Sequence, residues 1–188
     1  MHDLTAITAL GGIAPQVDTV GEVTLSEVPD VALASVAARL RKEATSVAQL
    51  KAFLGGPPPQ AGRAKLGEPY AAVWVGPDQW MLSARFETHQ DIAAQVKTKL
   101  GDTASVTEQT DAWCCFDLTG PNVRAVLELL CNIDLLRFET GHATRTSIHH
   151  LGCLVVCLDK GQSVRILGPR ASAGSLHHAI TTAMASAL

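Results

Sequence analysis

The chain has 188 residues, with 15 Lys+Arg against 18 Asp+Glu for a formal charge of −3, and is 47% hydrophobic, 18% charged and 4% aromatic. That length fits one domain of roughly 100–200 residues, spanning 1–188, that folds without a disulfide or metal, and the apolar content excludes a disordered chain. A slightly acidic, aromatic-poor chain is no nucleic-acid binder, and a charged fraction below the usual ~25% leaves an apolar surface suited to a protein partner.

In chain order, residues 1–20 carry Gly11, Gly12 and Pro15 without an apolar period and read as an extended N-terminal arm, ordered only if something holds it. Val23–Val28 alternates as a short strand. The run Val31–Arg39 fits helix or strand: its alanines favour helix, while Val31, Leu33 and Val36 leave the period open. A helix is predicted from Ser46, as its cap, to Leu54, with Val47, Leu50 and Leu54 on one face and Gly55-Gly56 as the stop. Pro57-Pro58-Pro59 then opens a Pro/Gly-rich loop over 55–68.

Two strand-like runs, YAAVWV and WMLSAR, flank Gly76-Pro77-Asp78-Gln79 as a hairpin. A helix over His89–Leu100 follows, with Ile92, Val96 and Leu100 in a stripe, then strands at Ala104–Thr107 and Ala112–Leu118. Gly120-Pro121 starts a helix to Cys131, Pro121 suiting its first turn, with Val123, Val126, Leu127 and Leu130 apolar. Strands at Ala143–His149, Cys153–Leu158 and Ser163–Leu167 precede a last helix from Ser172. Helices interrupting pairs and triplets of strands, rather than strict alternation, predict an α+β fold in which a mixed or antiparallel sheet is layered with helices.

No window approaches the ~20 apolar residues of a membrane span, and the N-terminus lacks a signal-peptide pattern, so a cytoplasmic protein without membrane partners is expected. Five cysteines without a CxxC pair point to reduced, mostly buried thiols. Cys153 and Cys157 share a strand face with Val155, which favours a core position over zinc ligation with His149 and His150. Cys114 or Cys115 as a nucleophile is disfavoured, because no Cys-His motif accompanies them. Phosphate-binding glycine loops and a GxSxG elbow are absent. Asp111 is a candidate base, though a turn aspartate is commoner, and Trp80 suits either a core or an interface.

Small polar clusters at element ends remain: WVGPDQWML (Trp74–Leu82), VTEQTDAW (Val106–Trp113), LTGP (Leu118–Pro121), NIDL (Asn132–Leu135), then Phe138, Gly141, ATRTSI (Ala143–Ile148) and GPRASAGSL (Gly168–Leu176). In this order they resemble the gamma subunit of heterotetrameric sarcosine oxidase, over roughly Val31 to the C-terminus. The resemblance implies a fold like the folate-binding domain of the glycine-cleavage aminomethyltransferase and a complex of alpha, beta, gamma and delta subunits. That complex oxidises sarcosine with oxygen to glycine and hydrogen peroxide and passes the one-carbon unit to tetrahydrofolate. FAD, FMN, NAD, tetrahydrofolate and zinc are implied for the partner subunits, and no catalytic, cofactor-binding or metal-binding residue for this chain. Its implied role is to pack on alpha and beta, with Gly76, Pro77, Asp78, Trp80, Asp111, Trp113, Arg145 and Arg170 as family-motif or interface candidates. In isolation such a chain is expected to self-associate through its partner face. The alternative is a small folate-binding transferase domain, in which Asp111 or Glu108 would meet the pterin amine and Arg145 or Arg170 the glutamate tail.

Overall fold

A computed structural model describes residues 5–188. It is an α+β fold of two antiparallel sheets and four helices, and its contacts divide into two compact units. One comprises the chain up to Pro29, Asp111–Thr140 and Arg145–Leu188; the other comprises Asp30–Thr110 and Gly141–Thr144. Each unit has its own apolar cluster. Both units are discontinuous in the chain, so no composition shift or linker marks a boundary.

The second unit holds β3 (Ala32–Ala38), α1 (Glu43–Leu54), β4 (Ala64–Lys65), β5 (Ala71–Gly76), β6 (Gln79–Ala84), α2 (Ile92–Leu100) and β7 (Ala104–Glu108), with sheet order β4-β5-β6-β3-β7. The undecided run at Val31 is strand β3, paired with β6 on one side and β7 on the other. Two ladders outweigh the helical bias of four alanines, which amounts to only a few tenths of a kcal/mol per residue. Ala32, Ala34 and Val36 turn to the face where Leu50 and Leu54 of α1 and the Ile92, Val96, Leu100 stripe of α2 are buried.

Helix α1 begins one turn before the expected Ser46 cap. Lys42 occupies the N-cap without a side-chain bond, and Glu43 accepts the Arg41 N–H at 3.0 Å. Ser46 lies inside the helix, fully buried, with its Oγ unpartnered. At the other end Gly55, with φ 65°, closes the helix as expected. Helix α2 starts at Ile92 rather than His89, because residues 90 and 91 form a turn. The Pro/Gly-rich loop is interrupted by β4, a two-residue strand on β5.

The first unit holds β1 (Val17–Val20), β2 (Val23–Glu27), β8 (Trp113–Thr119), α3 (Val123–Leu130), β10 (Leu151–Asp159), β11 (Ser163–Pro169) and α4 (Ala173–Ala187), plus most of β9 (Ala143–Ile148). Its sheet runs β1-β2-β8-β11-β10-β9. Alternation sends Val23 and Leu25, then Cys114, Phe116 and Leu118, then Val164 and Ile166, then Cys153, Val155 and Cys157, to one face. There α3 and α4 bury Val126, Leu127, Leu176, Ile180 and Met184. Pro121 precedes the N-cap Asn122 and so stands just outside α3 instead of in its first turn.

The arm expected over residues 1–20 lies in part outside the described residues. Residues 17–20 form β1, which pairs with β2 across a turn at Gly21 and Glu22. Before it, Thr8 and Gly12 close a backbone loop. Glu27, buried at the end of β2, accepts the N–H groups of Leu10 at 2.9 Å and Gln16 at 3.1 Å, one on each carboxylate oxygen. Glu27 takes the inward parity of Val23 and Leu25, so a charged group enters the core side where it meets backbone donors that would otherwise lack partners.

Candidate functional site

The hairpin motif is built by its turn. Gly76 pairs with Gln79, and Pro77-Asp78 form the tip, Pro77 supplying the fixed φ of the first position and Asp78 a φ of 53° at the second. The Asp78 carbonyl accepts the Ala38 N–H at 3.0 Å, which ties the tip to the end of β3. Trp74 and Trp80 are directly cross-strand and therefore on one face, the register that alternation alone leaves open. Trp80 is core: it is buried, and its indole N–H donates to the Pro59 carbonyl at 2.9 Å. That bond gives the proline run its anchor. Pro77 and Asp78 are exposed.

Asp111 is exposed in a single 3-10 turn, and Trp113, half-buried, begins β8 opposite Pro169. Arg170 follows Pro169, so Asp111, Trp113 and Arg170 gather at one end of the β8-β11 pair, where Arg170 donates to the Ile7 carbonyl at 3.2 Å. Arg145 is exposed on edge strand β9, two strands from β11, and so is not part of that group. Glu108 ends β7 in the second unit, with its Oε1 accepting the Thr110 N–H. Gly76, Pro77, Asp78 and Trp80 belong to that unit as well. The named candidates thus fall into a turn, a strand-end group and an edge-strand arginine.

Burial governs the cysteines. It pushes the thiols of Cys114 and Cys153 up to about 11 and that of Cys115 to about 12, and raises those of Cys131 and Cys157. Thiols with such values are protonated near neutrality and supply no thiolate nucleophile. Among the described residues no group of three or more His, Cys, Asp or Glu side chains is placed to hold a metal ion.

Sequence reasoning missed two polar pairs. Asp117 and Arg165, opposite each other on β8 and β11, form a two-pronged ion pair with both bonds at 2.8 Å, and the hydrogen bonds to Asp117 raise the Arg165 pKa. His177 of α4 lies 2.7 Å from Asp18 of β1, its ring against Phe116. Partners 48 and 159 residues apart in the chain give no local signal, so neither pair is readable before the strands are registered.

Two cavities open in the first unit. One, about 450 Å³, is lined by α3, the segment after it and the β10-β11 turn; the other, about 390 Å³, lies between Leu129 and Leu130 and the outer face of α4, with His149 and His178 on its wall. Neither is lined by Asp111, Arg145 or Arg170.

No protein-family model and no curated protein matches the sequence. Solved structures do. A chain of the heterotetrameric sarcosine oxidase from Corynebacterium sp. U-96 superposes over 89% of this chain and 87% of its own length, with a TM-score of 0.79 and 26% identity. The chain resembles heterotetrameric sarcosine oxidase. The glycine cleavage system aminomethyltransferase T from Bartonella henselae matches over 85% of this chain at a TM-score of 0.61 and 16% identity, a likeness of fold. The chain spans 45% of that transferase's length, whereas it matches the sarcosine oxidase chain nearly end to end. Among the described residues no helix is long and apolar enough to cross a membrane.

Proposed function

We propose that this chain is a supporting subunit of a sarcosine-oxidase-type complex, corresponding to gamma and packing on the alpha and beta subunits. The observation that carries the proposal is the near end-to-end likeness to a chain of the heterotetrameric enzyme at 26% identity. In the proposed complex sarcosine is oxidised with oxygen to glycine and hydrogen peroxide, and its one-carbon unit passes to tetrahydrofolate. FAD, FMN, NAD and folate belong to the partner chains. One feature of the first unit agrees with this: Leu129 of α3, a large apolar side chain, faces solvent, as suits a protein interface.

The test is co-expression with alpha, beta and delta chains, size-exclusion chromatography and a peroxide assay with sarcosine. Co-elution at constant stoichiometry, with no assembled oxidase when this chain is omitted, is the expected result. An intact, fully active complex that forms without it overturns the proposal. A stand-alone folate-binding transferase is favoured by fold alone, which does not confer function. Calorimetry of the isolated chain with tetrahydrofolate separates the two, since the subunit proposal expects no heat of binding.

A further inference from the structure

We propose that the 450 Å³ cavity of the first unit binds a small amphipathic monocarboxylate, with an apolar body on its floor and the carboxylate at its rim. The volume falls in the range of small-molecule sites, about 300–1,000 Å³. Val123 and Leu127 of α3, Phe138, and Cys157 and Val164 of β10 and β11 line it from the core, each buried, so the floor is apolar. Burial keeps the Cys157 thiol neutral, so it adds no charge to that floor. Leu136, 69% exposed, extends the apolar wall outward. A filled cavity would cover part of a side chain that water now surrounds.

The charged lining residues are Arg124 and Lys160, and no acidic residue lines the cavity. Arg124 engages Glu128 through Nε alone, at 2.7 Å, leaving both Nη groups without a partner among the described residues. Lys160 uses one donation, Nζ to Glu139 at 2.6 Å. Both pairs are half-exposed, and exposed pairs bind weakly enough to share or exchange a carboxylate. Two cations, each offset by one glutamate outside the cavity, favour a ligand of low charge over a dianion. The planar fork left on Arg124 matches a carboxylate in two-point geometry. This proposal stands independently of the subunit role.

The full-length 15N-labelled chain is titrated with 2-naphthoate, and with 2-naphthamide and 2-naphthylmethylamine as neutral and cationic analogues, following amide shifts. Saturable naphthoate binding is expected with a Kd on the order of 1 mM or tighter, with shifts centred on Leu127, Phe138 and Gly161. The amide should bind about tenfold more weakly and the amine not measurably. The double variant R124Q/K160Q, changed at two exposed positions, should lose about tenfold in naphthoate affinity with an unchanged melting temperature. No saturation, shifts elsewhere, an amide that binds as tightly as the acid, or undiminished affinity in the variant each overturn the assignment. The three-ligand comparison uses the unaltered chain, so it decides the matter even if the variant folds poorly.

Discussion

Gly120, in the LTGP segment, is where a single methyl group should do most damage. Its φ of 133° is a conformation that side-chain-bearing residues rarely adopt, and a Cβ there would overlap the Glu22 carbonyl oxygen and stand 2.9 Å from the Val23 Cα. Both obstacles are backbone, at the start of β2, and β2 is paired with β8 through Thr24 and Thr119, so the strand can retreat only by loosening that ladder. The Gly120 N–H also donates to the Gln162 carbonyl at 2.8 Å, which holds the glycine against moving the other way. Backbone strain of this kind costs about 1–3 kcal/mol, and displacing a paired strand raises the total for Gly120→Ala to roughly 3–5 kcal/mol. At about 2–4 °C per kcal/mol for a chain of this size, the melting temperature should fall by about 6–20 °C. Gly161→Ala is the reference: its φ of 70° carries the conformational cost, but no atom lies within 4 Å of the added Cβ. That variant should lose only about 1 kcal/mol. Chemical denaturation of both, compared at the midpoint, is the assay. Equal destabilisation would refute the role given to the close approach of β2.

Three further outcomes are expected. Glu27→Ala removes the carboxylate that receives the Leu10 and Gln16 N–H groups, so it should cost about 2–3 kcal/mol and make residues 5–16 the first site of limited proteolysis, read by mass spectrometry. Trp80→Phe keeps most of the apolar volume but leaves the Pro59 carbonyl unpartnered, and should lower stability by about 1–2 kcal/mol and speed cleavage in the 55–68 loop. The buried thiols have folded pKa values above the ordinary 9.0, so the folded chain holds their protons more tightly than the unfolded one. Their contribution is whole below pH 9 and is lost as pH rises through 11 to 12. Denaturant midpoints should therefore fall above pH 9, and iodoacetamide at pH 8 should label Cys114, Cys115 and Cys153 only after unfolding.

Local periodicity was informative wherever one face of one element decided the matter. The Ile92, Val96, Leu100 stripe, the Pro77-Asp78 turn and the inward alternation of Cys153, Val155 and Cys157 all occur as the sequence predicts. Helix starts were less informative. Ser46 has the chemistry of a cap, yet Glu43 begins a further turn and strands the serine hydroxyl in the core. The candidate residues share motifs, and their order along the chain carries no distances. Asp111, Trp113 and Arg170 converge because β8 and β11 are neighbours, while Arg145 lies on the far edge of the same sheet.

By itself, then, the sequence determined the class of the fold, most of its elements, and the resemblance to an oxidase subunit, because hydrophobic period and turn chemistry act within a few residues. Tertiary structure alone decided that the undecided run forms strand Ala32–Ala38, since its state depends on β6 and β7, which reach it from more than forty residues away. It also decided the division into two clusters, the clamp of Glu27 on the arm, the burial of Trp80 against Pro59, and the cavity between Arg124 and Lys160. Each of these joins groups far apart in the chain, and their energies exist only after the loops between them have closed.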